Sequence, residues 1–227
     1  MLVAGFPAGS FRTNCFVLAP AAGGACVVVD PGQDAVADLD VLLAEHSLTP
    51  AAVLLTHGHL DHTYCAAEVA DAHGVPVWIH PDDRAWLTEP MLGMSEQSRA
   101  VFGDLRLPEP GEVRDIADDA TLRLAGLELG VAHTPGHTPG SVCFTTTTED
   151  GTGVVFGGDT LFQGSVGRTD LPGGSHDTLL DSIAARLLSR DDTTIVLPGH
   201  GPATTIGAER AHNPFLADLT PTRGRAQ

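Results

Sequence analysis

The sequence has no lysine; all 12 of its basic side chains are arginines. Chemistry built on a lysine ammonium is therefore excluded: Walker-type phosphate binding, Schiff-base catalysis and the nucleotide-anchoring lysine of kinases. Positive charge is scarce overall. Against 29 acidic residues the formal net charge is −17, which disfavours a nucleic-acid partner, since phosphates call for a basic surface. Cysteine is sparse as well. Cys15, Cys26, Cys65 and Cys143 are scattered with no CxxC spacing, so they read as small core residues and not as a disulfide framework. There is no GxSxG, hence no nucleophile elbow. No apolar run reaches the ~18 residues of a membrane span. Residues 1–7 lack the basic segment and apolar core of a secretion signal, and the cytoplasm is the expected compartment.

What the sequence does have is histidine in a patterned cluster. Thr56-His57-Gly58-His59-Leu60-Asp61-His62 follows directly on the apolar residues 51–55. Imidazole and carboxylate are the usual ligands of zinc, iron and manganese. The pattern then recurs. His137 lies in His133-Thr134-Pro135-Gly136-His137-Thr138-Pro139-Gly140-Ser141, after the apolar-rich residues 127–132. Asp159 follows Val154-Val155-Phe156-Gly157-Gly158, and His200 follows Ile195-Val196-Leu197-Pro198-Gly199. Short apolar runs bounded by turn residues read as buried strands. Ligands at the same ends of neighbouring strands can converge on one site, with Gly and Pro fixing the turns that present them.

The length of 227 residues suits one α/β domain spanning 1–227. The first third reads as strand, strand, strand, helix, strand, helix. A strand over 27–30 closes into Pro31-Gly32, and residues 35–46 carry Val36, Leu39, Leu42 and Leu43 on one helical face. Asp61 is placed to cap a helix running to about His73, with Gly74 behind it. Residues 82–112 are irregular, with short helical patterns; a loop of that length either covers a site mouth or is a solvated connection. Further strands are expected at 76–80, 113–116, 121–124, 127–132, 141–147, 153–156 and 194–197, and an amphipathic helix at 176–188.

These motifs in this order resemble the metallo-β-lactamase superfamily, and most of all its glyoxalase II-like hydroxyacylglutathione hydrolases. Asn14-Cys15-Phe16, Val29-Asp30-Pro31-Gly32, Gly158-Asp159-Thr160-Leu161-Phe162, Gly167-Arg168-Thr169-Asp170 and Asn213-Pro214-Phe215-Leu216 extend the likeness over nearly the whole chain. The resemblance implies an αββα sandwich with a metal site at one edge between two sheets. It implies two divalent ions, zinc first, with iron or manganese as alternatives. One ion would take His57, His59 and His137, the other Asp61, His62 and His200, with Asp159 bridging. The implied reaction is attack by a metal-held hydroxide on a thioester carbonyl, with Asp61 also orienting the nucleophile's proton. The implied partner is a small-molecule thioester such as S-lactoylglutathione; the oligomeric state is left open. No cysteine falls in a metal motif, unlike in many zinc β-lactamases, which favours the thioesterase-like branch.

Other residues are read more plainly. His46, His73, His80, His176 and His212 lie outside the metal motifs and read as surface or capping residues. His133 is left off the ligand set, with an orienting role open to it. Asp30 either holds the His57–His62 loop by hydrogen bonds or caps its own turn. The chain ends 27 residues after His200, so it reads as a short form lacking the C-terminal helical domain of larger glyoxalase II enzymes. Arg168 matches the basic residue with which those enzymes hold a glycyl carboxylate; a salt bridge to a nearby acid is the alternative. Two tyrosines of that pocket are replaced by Asp170 and Pro202, which puts glutathione specificity in question. The Gly167–Asp170 motif is shared with persulfide dioxygenases, mononuclear iron enzymes whose ligands would here be His57, His137 and Asp159. A lactonase or other ester hydrolase is the nearest variant within hydrolysis.

Overall fold

Strands buried on both faces read as unbroken apolar runs, because successive side chains alternate between two covered sides. The computed structural model, which describes residues 1–219, shows this directly. The first sheet takes β1 (Leu2–Ala8), β2 (Thr13–Ala19), β3 (Ala25–Val29), β4 (Thr49–Leu54), β5 (Val77–Ile79) and β6 (Val113–Asp115), in that order. In β3, Cys26 and Val28 face one apolar cluster while Val27 and Val29 face another. In β4, Val53 and Leu54 split the same way. The first cluster packs the sheet against α1 (Ala35–His46) and α3 (Ala66–His73).

The second sheet is built from β7 (Thr121–Leu124), β8 (Leu127–His133), β9 (Val142–Thr147), β10 (Gly153–Gly158), β13 (Ile195–Pro198) and β14 (Thr204–Thr205). Its spatial order is β14-β13-β10-β9-β8-β7. Phe144 and Phe156 point inward onto Leu18, Val29 and Leu54 of the first sheet's cluster, while Cys143 and Val155 point outward. The outer layer there is α5 (His176–Ser182), continued by a π-helical turn at Ile183–Leu187, together with α6 (Ile206–His212). A hairpin of β11 (Leu161–Phe162) and β12 (Ser165–Val166) stands apart. The result is the αββα sandwich expected. Full burial of each inward Phe contributes on the order of 1.5–3 kcal/mol.

Chain direction decides where the site falls. β3, β4, β5 and β6 run parallel, and so do β10 and β13. β8 is antiparallel to β9, which is antiparallel to β10, so β8 shares the direction of β10. The segments following β4, β8, β10 and β13 therefore emerge at one edge, and these are the four segments carrying the candidate ligands. The two sheets are tied there. The Asn14 amide donates to Gly199 O at 2.7 Å, and the Val142 amide donates to Thr56 O at 2.8 Å.

The helix over 35–46 matches α1. The helix expected from Asp61 to His73 is broken. Its first part is the single turn α2 (Leu60–Thr63), with His59 and not Asp61 at the N-cap. Its second part is α3, closed by Gly74 in the left-handed conformation. The break falls at Cys65, whose amide donates to Pro31 O at 3.0 Å and so leaves the helical ladder. The segment 82–112 is also more ordered than its composition suggests. It contains 3-10 turns at Pro81–Leu87 and Pro90–Gly93, then α4 (Glu96–Phe102), whose cap Ser95 accepts from the Ser98 amide. Among the described residues no helix is long and apolar enough to cross a membrane.

Candidate metal centre

The structure brings all seven candidate ligands together, in three groups whose donor atoms lie within 4.8 Å of one another: His57, His59 and His137; His57, His62 and Asp159; Asp61, His62 and His200. The first triad is deep. His57 is 1 %, His59 5 % and His137 1 % exposed. The triad of Asp61, His62 and His200 opens outward, with the side chains of Asp61 at 22 % and His200 at 31 %. A molecule from solvent thus reaches the centre from the Asp61–His200 side. Asp159 lies between the triads. Its Oδ2 is 3.7 Å from Nε2 of both His137 and His200, and its Oδ1 is 3.3 Å from Nε2 of His62.

Three of the imidazoles are turned by hydrogen bonds on their outer nitrogens. His62 Nδ1 donates to Asp30 Oδ2 at 2.9 Å. His137 Nδ1 donates to the Arg168 carbonyl at 2.8 Å. His57 Nδ1 donates to Thr56 Oγ1 at 3.1 Å, and that hydroxyl donates to Asp30 Oδ2 at 2.6 Å. Each bond directs the Nε2 of its ring inward. Asp30 also accepts from the Thr56 amide at 2.8 Å. Of the two readings open for this aspartate, the structure thus shows the one in which it holds the ligand loop.

The electrostatics suit cation binding. Burial, reinforced by the neighbouring histidines, holds His57 well below the usual imidazole pKa, and burial with His137 brings His59 down to about 3. Both are neutral lone-pair donors at neutral pH. Burial also opposes ionisation of the two carboxylates, but His62 followed by His200 outweighs it at Asp61, and His62 followed by His137 outweighs it at Asp159. Both stay below the ordinary carboxylate range. His62 and His200 rise in return, because the carboxylates beside them overcome their burial.

Three buried atoms of the centre, His59 Nε2, His62 Nε2 and Asp159 Oδ1, have no hydrogen-bond partner. The inward nitrogens of His59 and His57 face His137 Nε2 at 2.8 and 3.2 Å. Lone pairs gathered so closely are satisfied by a shared cation, and the nitrogen-and-oxygen donor set suits zinc, iron or manganese. The residues present fit divalent metal ions. Gly199 is part of that fit, since a Cβ there would stand 2.3 Å from Asp159 Oδ1 and 2.5 Å from His62 Cε1.

Arg168 meets the centre through its backbone. Its guanidinium instead forms a two-pronged pair with Asp170, at 2.8 and 2.9 Å, which is the salt-bridge alternative. His133 donates to, or accepts a proton shared with, none of the ligands; its Nε2 bonds the Pro139 carbonyl at 2.8 Å and so braces the loop that carries His137. It stacks on His80, ring centroids 4.2 Å apart and planes within 8°. Lone pairs in stacked, parallel rings do not converge, so this pair is a poor chelate despite the nearby Asp82. His80 caps its own 3-10 turn, while His46, His73 and His212 occupy the last turns of helices, where the helix dipole favours them.

Sequence reasoning missed Asp83. This fully buried carboxylate accepts from the Gly58 amide at 2.8 Å, the Thr138 hydroxyl at 2.6 Å and the Gly140 amide at 2.8 Å. It therefore ties the loop of the first sheet that holds His57 and His59 to the loop of the second that holds His137. Burial raises its pKa although all three donors pull it down.

The profile of the Metallo-beta-lactamase superfamily matches residues 8–200. An uncharacterised protein of Mycobacterium leprae is 51% identical over 96% of this chain and 100% of its own length. The hydroxyacylglutathione hydrolase GloC of Haemophilus influenzae is 36% identical over 92% of this chain and 95% of its own. The crystal structure of the BLEG-1 B3 metallo-beta-lactamase superposes with a TM-score of 0.84 at 41% identity, covering 95% of this chain and 100% of the other.

Proposed function

The chain belongs to the metallo-β-lactamase superfamily of metallo-hydrolases, and from that premise we propose that it hydrolyses a small thioester of the S-lactoylglutathione type. His57, His59 and His137 would hold one divalent ion and Asp61, His62 and His200 a second, with Asp159 shared; zinc is the first candidate. The observation that carries this reading is the position of Asp159 Oδ2, 3.7 Å from one imidazole of each triad. The Haemophilus relative supports the thioester class.

Bound divalent ions lower the pKa of water and polarise a carbonyl oxygen. The chain's own residues arrange the rest. Asp30, Thr56 and the Arg168 carbonyl anchor Nδ1 of His62, His57 and His137, so that none of these three rings has to turn before use. Asp61 Oδ2 is held by Thr13 Oγ1 at 3.2 Å and His200 Nε2 at 3.0 Å. Asp61 is thereby positioned at the open side of the centre, where it can take up and orient the proton of an attacking water. His57, His59 and His137 wall the closed side and keep bulk water from it.

A mononuclear iron reading, as in persulfide dioxygenases, requires only His57, His137 and Asp159. The assembly of Asp61, His62 and His200 beside them favours the hydrolase. The deciding experiment is cleavage of S-D-lactoylglutathione by protein reconstituted with zinc, iron or manganese, with Asp159→Ala and His212→Ala as controls. Turnover should vanish in Asp159→Ala and persist in His212→Ala. Near-normal turnover in Asp159→Ala rejects the site. No turnover with any metal, but oxygen uptake with a persulfide, rejects the hydrolase.

A further inference from the structure

Of the four most buried imidazoles in the centre, His59 is the exception. His57, His62 and His137 direct Nε2 inward and anchor Nδ1 in an acceptor. His59 is reversed, with Nδ1 turned to His137 Nε2 at 2.8 Å. Its lone pair is therefore on Nδ1 and its proton on Nε2, yet Nε2 is buried with no hydrogen-bond partner. A ligand histidine ordinarily takes its orientation from the bond made by its outer nitrogen. His59 has no such bond, so something else must set its ring.

His57 and His137 meet that ring edge-on; the side chain that lies against its face is Trp86. The two are stacked, with centroids 5.5 Å apart and planes 23° from parallel. Trp86 is itself 8 % exposed, and it stands on the same 3-10 turn as Asp83, which is bonded to both ligand loops. Gly93 lies at the edge of the stack, against both rings. A Cβ at that position would be 2.7 Å from Trp86 Cε3 and 3.1 Å from His59 Cδ2. The indole is thus bounded by the Gly93 backbone at one edge and by the imidazole on its face, and a buried flat ring held in this way restricts the plane of the imidazole against it.

We propose that Trp86 is the positioning residue of His59, and that this stack takes the place of the missing hydrogen bond in setting how tightly the His57–His59–His137 triad holds a divalent cation. The proposal rests on the ligand assignment made above and not on the thioester substrate.

The test is a cobalt(II) titration of the metal-stripped full-length protein, with no substrate present. The chain has 2 tryptophans, so Trp78→Phe leaves Trp86 as the single tryptophan, whose emission is excited selectively over that of Tyr64. Its fluorescence should be quenched as the first triad fills. Trp86→Ala should weaken cobalt binding at one site about 10- to 100-fold and leave the other unchanged. Trp86→Phe, which keeps a flat ring, should recover most of the loss. A general structural role predicts lower thermal stability but equal effects on both sites and no rescue. Emission of Trp86 that stays constant to cobalt saturation overturns the proposal, as does unchanged affinity in Trp86→Ala. Should Trp86→Ala fail to fold, the emission of the Trp78→Phe protein and the affinities of Trp86→Phe decide. Quenching without thioester cleavage refutes the substrate reading alone; cleavage with a silent Trp86 refutes the stack alone. No cobalt binding by the parent protein overturns the stack together with the ligand assignment.

Discussion

Asp30 Oδ2 accepts a hydrogen bond from His62 Nδ1 at 2.9 Å, and neither side chain is more than 2 % exposed. The same carboxylate holds the amide and hydroxyl of Thr56. In all of these bonds Asp30 is the acceptor. In Asp30→Asn one oxygen becomes an NH2 group that faces either the Thr56 amide or His62, donor against donor. The expected result is a 10- to 100-fold loss of zinc affinity, as is typical when the partner of a ligand histidine is removed. Chelator competition measures it. Parental affinity in Asp30→Asn would separate this carboxylate from the metal centre.

Asp83 is expected to matter to stability as well as to metal. Its two oxygens accept from Gly58, Thr138 and Gly140, on loops from different sheets. Asp83→Asn leaves at least one buried donor unmatched, at a cost of about 1–3 kcal/mol. In a domain of this size that lowers Tm by roughly 2–4 °C per kcal/mol. Calorimetry of metal-free protein gives the stability term, and zinc titration gives the effect on the ligand loops. A melting temperature equal to the parent's would show that the loops hold together without this link.

The sequence made the ligand-bearing edge legible because the signal is local. Each candidate ligand follows an apolar run within a few residues, and the common direction of β4, β8, β10 and β13 turns four local patterns into one site. The helix over 35–46 was legible for the same reason. The break at Cys65 was not, since its cause is an acceptor on Pro31 that no helical periodicity reveals. Asp83 and Trp86 were hidden more deeply. They sit in a segment with no strand or helix period, and their partners are 25 to 57 residues away. A Pro-Asp-Asp stretch after a short strand gives no hint of which glycine amides its carboxylate will meet.

The cysteines should be inert in the folded chain. All four are buried and free. Burial raises the thiol pKa of each, Cys26 to about 11. A thiol stays neutral below its pKa, so at pH 8 almost none is present as the reactive thiolate. A disulfide reagent should label none in native protein and four in denaturant. Between pH 9 and about 11 the unfolded chain releases the Cys26 proton before the folded chain does, so stability falls as pH rises through that window. Rapid labelling of a thiol at pH 8 in native protein would contradict the burial of these side chains.

Arg168 offers a cleaner separation of binding from chemistry. Its carbonyl orients His137, but its guanidinium is largely exposed and is held by Asp170. The bond to Arg168 is the main reason Asp170 falls to about 2, so that it remains an ionised competitor at any working pH. If the guanidinium receives a substrate carboxylate, that carboxylate must displace Asp170. Arg168→Gln keeps the backbone bond to His137, so kcat should be nearly unchanged while KM for S-D-lactoylglutathione rises about tenfold, the signature of lost uniform binding. Asp170→Asn should act in the opposite direction and lower KM, because the guanidinium is released. An exposed pair contributes little to folding, so neither change should move Tm appreciably. Steady-state kinetics of both variants decide the point. Unchanged KM in each would leave Arg168 as the partner of Asp170 alone, and a fall in kcat with Arg168→Gln would mean that the side chain supports His137 as well.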